Sequence, residues 1–122
     1  MKNESLVQQE IRLKASQKGV ILWRNNSGCM KTPSGGFVRF GLGNESKEMN
    51  KKFKSADLIG ITPHVITADD IGKTVGIFTS IEVKKEGWKT DNSTRSKGQS
   101  AWAKLITRLG GISKIISSPD DI

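Results

Sequence analysis

The sequence predicts an α/β domain, on three observations. Residues 3–18 place Leu6, Val7, Ile11 and Ala15 at helical spacing, with Asn3 as a cap and Gly19 as a stop. Residues 57–62 and 74–85 are runs of strand formers, the first closed by Pro63 and the second carrying Ile77, Phe78, Ile81 and Val83. Residues 99–109 return to helical spacing through Trp102, Leu105, Ile106 and Leu109, stop at Gly110-Gly111, and lead into a last short strand at 112–116. With two further strands near the N-terminus, the order is helix, four strands, helix, strand. That order describes a mixed central sheet flanked by helices, in a single domain spanning residues 1–122.

The connections follow from their turn chemistry. Residues 20–24 form a short apolar strand with Trp23 in the core, and Asn25-Asn26-Ser27-Gly28 is a turn. Arg24, Asn25 and Asn26 put donors at that strand end, suited to phosphate oxygens, although Asn-rich turns also occur simply as turns. Phe37-Val38-Arg39-Phe40 is expected to return beside the first strand. Residues 43–54, with Lys47, Lys51, Lys52 and Lys54, read as a solvated loop or short helix. Turn residues at 67–73 would fold 57–62 and 74–85 into a long antiparallel hairpin. Residues 86–98 lack periodicity and read as a mobile loop, in which Trp88 either stacks on a base or packs over the sheet.

Composition narrows the function classes. Apolar residues are only 34% of the chain and glycines number 13, so the core should be modest. Twenty Lys and Arg against 12 Asp and Glu leave a net charge of +8, which favours a polyanionic partner. The single Cys29 excludes an internal disulfide, and the lone His64 cannot build a zinc site. No apolar run is long enough to span a membrane and no signal peptide is evident, so the expectation is a soluble intracellular protein, in host cytoplasm if a phage carries it.

The chemistry concentrates at Glu82-Val83-Lys84. In a strand, residues two apart share a face, so Glu82 and Lys84 project together while Ile81 and Val83 pack into the opposite layer. An edge strand with one solvated face would explain the pair equally well. Asp57, at the mouth of the preceding apolar run, adds a second carboxylate. Two carboxylates suit a hard cation such as Mg2+, or Mn2+ in its place, with the Val83 carbonyl as a third oxygen. The Lys84 ammonium would orient the attacking water and offset phosphate charge. Glu10 lies beside the apolar stripe of the first helix, where a carboxylate needs a reason, and Lys14 one turn on can pair with it. Gln99, one turn before Trp102, points toward the same sheet and can cap the first turn of its helix.

Asp57 followed by Glu82-Val83-Lys84 resembles the PD-(D/E)XK nuclease signature. Together with Glu10, Leu22-Trp23-Arg24-Asn25-Asn26-Ser27-Gly28, Ser55-Ala56-Asp57-Leu58-Ile59-Gly60, Gln99 and Trp102, the ordered set resembles the VRR-NUC (virus-type replication-repair nuclease) family over residues 10–116. Ala56 stands where that pattern has proline. The resemblance implies a restriction-endonuclease-like fold and a Mg2+-dependent DNA endonuclease. It also implies that Asp57, Glu82 and Val83 hold metal, that Glu10 reaches the same centre, and that Lys84 and Gln99 serve the water. Branched DNA, above all four-way junctions, and a homodimer to cut it are inherited from the same resemblance. Lys85, Arg95 and Lys97 join Arg24, Asn25 and Asn26 as candidate contacts to the DNA backbone.

Overall fold

The computed structural model describes residues 1–122. The chain is mixed α/β, with three α-helices, three two-stranded ladders and two short 3-10 turns. It divides into two compact units, Met1–Gly60 and Ile61–Ile122. No helix is long and apolar enough to cross a membrane.

In the first unit, α1 (Glu4–Gln17) starts where the Asn3 side chain accepts the Leu6 amide at 2.9 Å, satisfying one of the donors a helix start leaves open. Its expected apolar stripe is not buried: Leu6, Val7 and Ile11 are exposed. The helix is tied to β1 (Ile21–Arg24) by a polar contact, Arg12 Nε donating to the Leu22 carbonyl at 3.1 Å.

Residues 28–31, expected at the end of a turn, form β2 (Gly28–Lys31). It pairs antiparallel with β3 (Phe37–Phe40), from Gly28 opposite Phe40 to Lys31 opposite Phe37. The return of residues 37–40 is therefore onto β2 and not onto β1. Gly and Lys at the two ends of β2 hide it from a propensity reading. What pins the hairpin is Asn44, only 4% exposed. Its amide donates to the Gly28 carbonyl at 2.8 Å and the Phe40 carbonyl at 3.0 Å, and its oxygen accepts from Arg39 at 3.0 Å. Asn44→Ala would remove three hydrogen bonds to part-buried groups, so it is expected to cost about 1–3 kcal/mol, read as a lower midpoint in chemical denaturation.

The lysine-rich connection contains α2 (Lys47–Lys52), capped by Ser46 accepting the Met49 amide at 3.0 Å. β4 (Leu58–Ile61) follows and pairs with β1. The expected hairpin of residues 57–62 with 74–85 does not form. Thr67 and Asp70 instead make a capping box around a 3-10 turn at Ala68–Asp70, and the second run finds a different partner. The Asp70 carboxyl is held below the usual carboxylate range, first by the Thr67 amide and then by His64 at 2.9 Å.

The second unit is built on a βαβ arrangement. β5 is shorter than expected, Thr79–Val83, and pairs in parallel with β6 (Ile112–Ile116) through the intervening α3 (Thr94–Arg108). A parallel pair needs such a crossover, and a helix supplies it. Thr79, Ile81 and Val83 share one face with Ile112, Lys114 and Ile116, while Ser80 and Glu82 share the other with Ser113 and Ile115. Ile81 and Val83, expected to be packed, are 37% and 74% exposed. The modest core is real: Ile61 and Ile106 are the buried apolar residues.

Candidate functional site

The face of β5 that carries Ser80, Glu82 and Lys84 is the one α3 lies against. α3 begins five residues earlier than its apolar spacing indicates, at Thr94, because Ser93 caps it by accepting the Ser96 amide at 3.1 Å. Gln99 is thus in the helix interior, and its reading as a first-turn cap is corrected. Arg95, Gly98, Gln99 and Trp102 recur at the spacing that lines one helix face. They border a cavity of about 310 Å3 together with Ser80 and Glu82.

Gln99 joins Glu82 of β5 to Lys84, the residue just after the strand. Its Nε2 donates to Glu82 Oε1 at 2.8 Å, and its Oε1 accepts from Lys84 Nζ at 2.9 Å. The direct Glu82–Lys84 separation is 3.8 Å, at the edge of an ion pair, with Lys84 the less exposed partner at 23% against 38% for Glu82. Both Glu82 contacts fall on Oε1. One turn along α3, Trp102 Nε1 donates to Ser80 Oγ at 2.7 Å and ties the helix to the start of the strand.

Lys84 has a second acidic neighbour. The Asp91 carboxyl is pulled down to about 2, first by Ser93, through its side chain and its amide, then by Ser96, with the Lys84 charge contributing. The Ser93 amide donates to Asp91 Oδ1 at 2.8 Å. Asp91 therefore holds the turn that launches α3, and this contribution is complete above the ordinary carboxylate range and disappears as pH falls from about 4 to about 2. Carboxyl-detected NMR titration is expected to place the Asp91 midpoint near 2, with the Ser93 and Ser96 amides shifting alongside it; a midpoint near 4 would contradict the cap.

The Val83 carbonyl is open to an ion as far as the ladder is concerned. Phe78 and Lys84 carry bonds to β6, through the Ile112 amide and the Ile116 carbonyl, each at 2.8 Å. Alternate residues of a strand bond to opposite sides, so Val83 turns its carbonyl to the other edge.

Asp57, Asn25, Arg24, Asn26 and Glu10 sit in the first unit. Asp57 is exposed just before β4, and its carbonyl accepts the Asn25 amide at 2.8 Å. The Asn25 side chain donates to Ser55 Oγ at 2.9 Å and the Ala56 carbonyl at 2.8 Å. Both amide hydrogens are spent on the segment that presents Asp57, so Asn25 positions that segment and has no donor left for a phosphate. Arg24 and Asn26 are exposed beside it. Glu10 pairs with Lys2 at 2.9 Å and not with Lys14.

Of the basic candidates in the second unit, Arg95 lines the cavity with Glu82, Lys85 lines a neighbouring cleft, and Lys97 lines neither. In the second unit the donors are oxygen, the Glu82 carboxylate and the Val83 carbonyl; the Asp57 carboxylate belongs to the first unit. Oxygen donors suit Mg2+ or Mn2+, which take one or two carboxylates and keep several waters. No three His, Cys, Asp or Glu side chains gather to hold a metal ion. Ser80 reaches the cavity through its register in β5, whereas Asp91 and Arg95 owe their places to where α3 starts, for which the Asp91-Asn92-Ser93 turn with Ser96 three residues on was the signal. Compared with protein-family models, with curated proteins and with solved structures, the chain matches none.

Proposed function

We propose that this chain is a divalent-metal-dependent endodeoxyribonuclease of the PD-(D/E)XK type, similar to the virus-type replication-repair nucleases. Its substrate would be branched DNA such as four-way junctions, cut by a homodimer of a restriction-endonuclease-like domain spanning residues 1–122. The observation that carries this is the Gln99 bridge between Glu82 and Lys84. A carboxylate and an ammonium tied to one neutral side chain, with 3.8 Å between them, would be positioned for an ion and for a water.

In this scheme Glu82, Asp57 and the Val83 carbonyl would hold Mg2+ or Mn2+, with Glu10 for a second ion. The bound ion supplies Lewis acidity at the phosphate and a more acidic water. Lys84 holds and orients the attacking water and offsets phosphate charge, while Gln99 keeps Lys84 from collapsing onto Glu82. Arg95, at the same cavity, and the exposed Arg24 and Asn26 supply backbone contacts, consistent with the charge of +8. A non-catalytic DNA-binding module is the second reading, favoured by one feature: the bridge already satisfies both charges with protein partners.

The test incubates labelled four-way junction, flap, fork and linear duplex with Mg2+, Mn2+ or EDTA. Paired symmetric nicks confined to the junction, with a dimeric mass by light scattering, are the expected result. Metal-dependent cutting of every substrate would keep the nuclease and remove the junction preference. Salt-sensitive binding with no cutting in either metal would leave the binding module.

A further inference from the structure

Beside the catalytic candidates lies a second cleft of about 460 Å3, lined in part by Lys84 and Gln99. Lys84 and Gln99 line both its wall and the bridge described above, so the cleft shares a boundary with the proposed nuclease centre. Its volume is within the roughly 300–1,000 Å3 of small-ligand sites. Three cations, Lys84, Lys85 and Lys89, line it with one carboxylate, Asp91, and that carboxylate is engaged by the Ser93 amide. Trp88, Ala103 and Ile115 supply the apolar surface.

Trp88 is held there by the backbone. The chain leaves β5 and turns at once, the Trp88 amide donating to the Lys85 carbonyl at 3.2 Å, with Gly87 at φ 79° in the third position of the turn. That position needs a positive φ, which glycine adopts without strain. The turn sets an indole between two lysines, at a distance from the Glu82–Lys84 pair fixed by only three intervening residues.

We propose that this cleft seats one unpaired nucleotide of a DNA strand, its base on Trp88 and its phosphates on Lys85 and Lys89. A flat aromatic flanked by cations is the recurring means of holding single-stranded nucleic acid, because every base has a π-face and every linkage a negative charge. Lys84 itself belongs to the bridge, so the phosphate contacts fall to the other two lysines. The proposal deepens the nuclease reading and rests on it for the choice of DNA: an unpaired nucleotide next to the centre is what a flap or fork offers outright, what a four-way junction offers where a pair at its centre opens, and what an intact duplex does not.

The experiment measures binding of a fluorescein-labelled twelve-nucleotide oligothymidylate, and of a duplex of the same length, by anisotropy in EDTA. Trp88→Ala is expected to weaken the single strand about 5- to 150-fold, the worth of one base–aromatic stack, and the duplex less than twofold. Trp88→Phe should restore most of the loss. The salt slope should be unchanged by Trp88→Ala and shallower by about 0.7 for Lys89→Ala. An effect below twofold on the single strand, or an equal loss on the duplex, overturns the proposal. Independently of any variant, photocross-linking of the unaltered protein to a 5-iodouracil oligonucleotide should label the tryptic peptide 86–89, and labelling confined elsewhere also overturns it. Because binding is read in EDTA, cutting without Trp88-dependent binding removes the subsite alone. Trp88-dependent binding without cutting in Mg2+ removes the nuclease alone.

Discussion

Replacing Glu82 with alanine is expected to reduce metal-dependent DNA cleavage to background while leaving affinity for DNA in EDTA within twofold. Lys84→Ala should lower the rate by about 10²–10⁴-fold, the range of a positioned general acid–base group. Gln99→Leu should lower it by about 10–100-fold, as loss of an outer-shell partner does. The graded order follows from the geometry, in which Gln99 touches both charged residues and would itself touch neither metal nor phosphate. Its substitution should act on kcat more than on KM, since removing it lets Lys84 close the 3.8 Å gap to Glu82 without changing the DNA-contacting surface. Three equal losses accompanied by equal falls in Tm would show a structural network in place of a catalytic one. Full activity of Glu82→Ala would end the nuclease proposal.

Gly60→Ala should be among the most destabilising single substitutions in the chain. A Cβ at Gly60 would run into the Ile21 carbonyl oxygen, and would come within 2.7 Å of the carbonyl carbon and 2.8 Å of the Leu22 Cα. These are backbone atoms of the paired strand, which cannot swing aside as a side chain can. The β1–β4 ladder would have to open, at a cost of about 3 kcal/mol, the upper part of the usual overpacking range. For a domain with a net stability of about 5–15 kcal/mol that is a large fraction. The matched control is Gly76→Ala, whose Cβ would meet nothing within 4 Å and which should move Tm little. Hydrogen exchange sharpens the test: the Asn25 amide, bonded to the Asp57 carbonyl at 2.8 Å, should lose protection in the Gly60 variant. Unchanged protection and Tm would refute the close approach.

The Gly60 case also shows how the segment presenting Asp57 is built. Its carbonyl is held by the Asn25 amide, its neighbours Ser55 and Ala56 by the Asn25 side chain, and its strand by the contact Gly60 permits. In the sequence these residues are an Asn-rich turn and an isolated glycine, and neither carries a sign of its partner. A turn signal is local; a side chain that reaches thirty residues along the chain is not.

Local choices were legible in the chain. Asn3 caps the first helix, Gln99 to Leu109 carry a helical stripe, residues 112–116 are a strand, the run expected as a strand over 74–85 keeps one at Thr79–Val83, and Glu82 and Lys84 share a face. Each depends on neighbours within a few residues, where backbone sterics and side-chain period decide the outcome. Composition likewise foretold a modest core. Pairing was decided only by the tertiary structure. β5 lies parallel to β6 and not in a hairpin with residues 57–62, β3 takes β2, and β4 takes β1. The Asp91–Ser93 cap extended α3 backward and brought Arg95 to the cavity. The physical reason is that a strand's edge accepts any neighbour with a compatible register. Which one it takes depends on the crossover helix, on a glycine that admits a second backbone, and on Asn44 closing a hairpin from outside it.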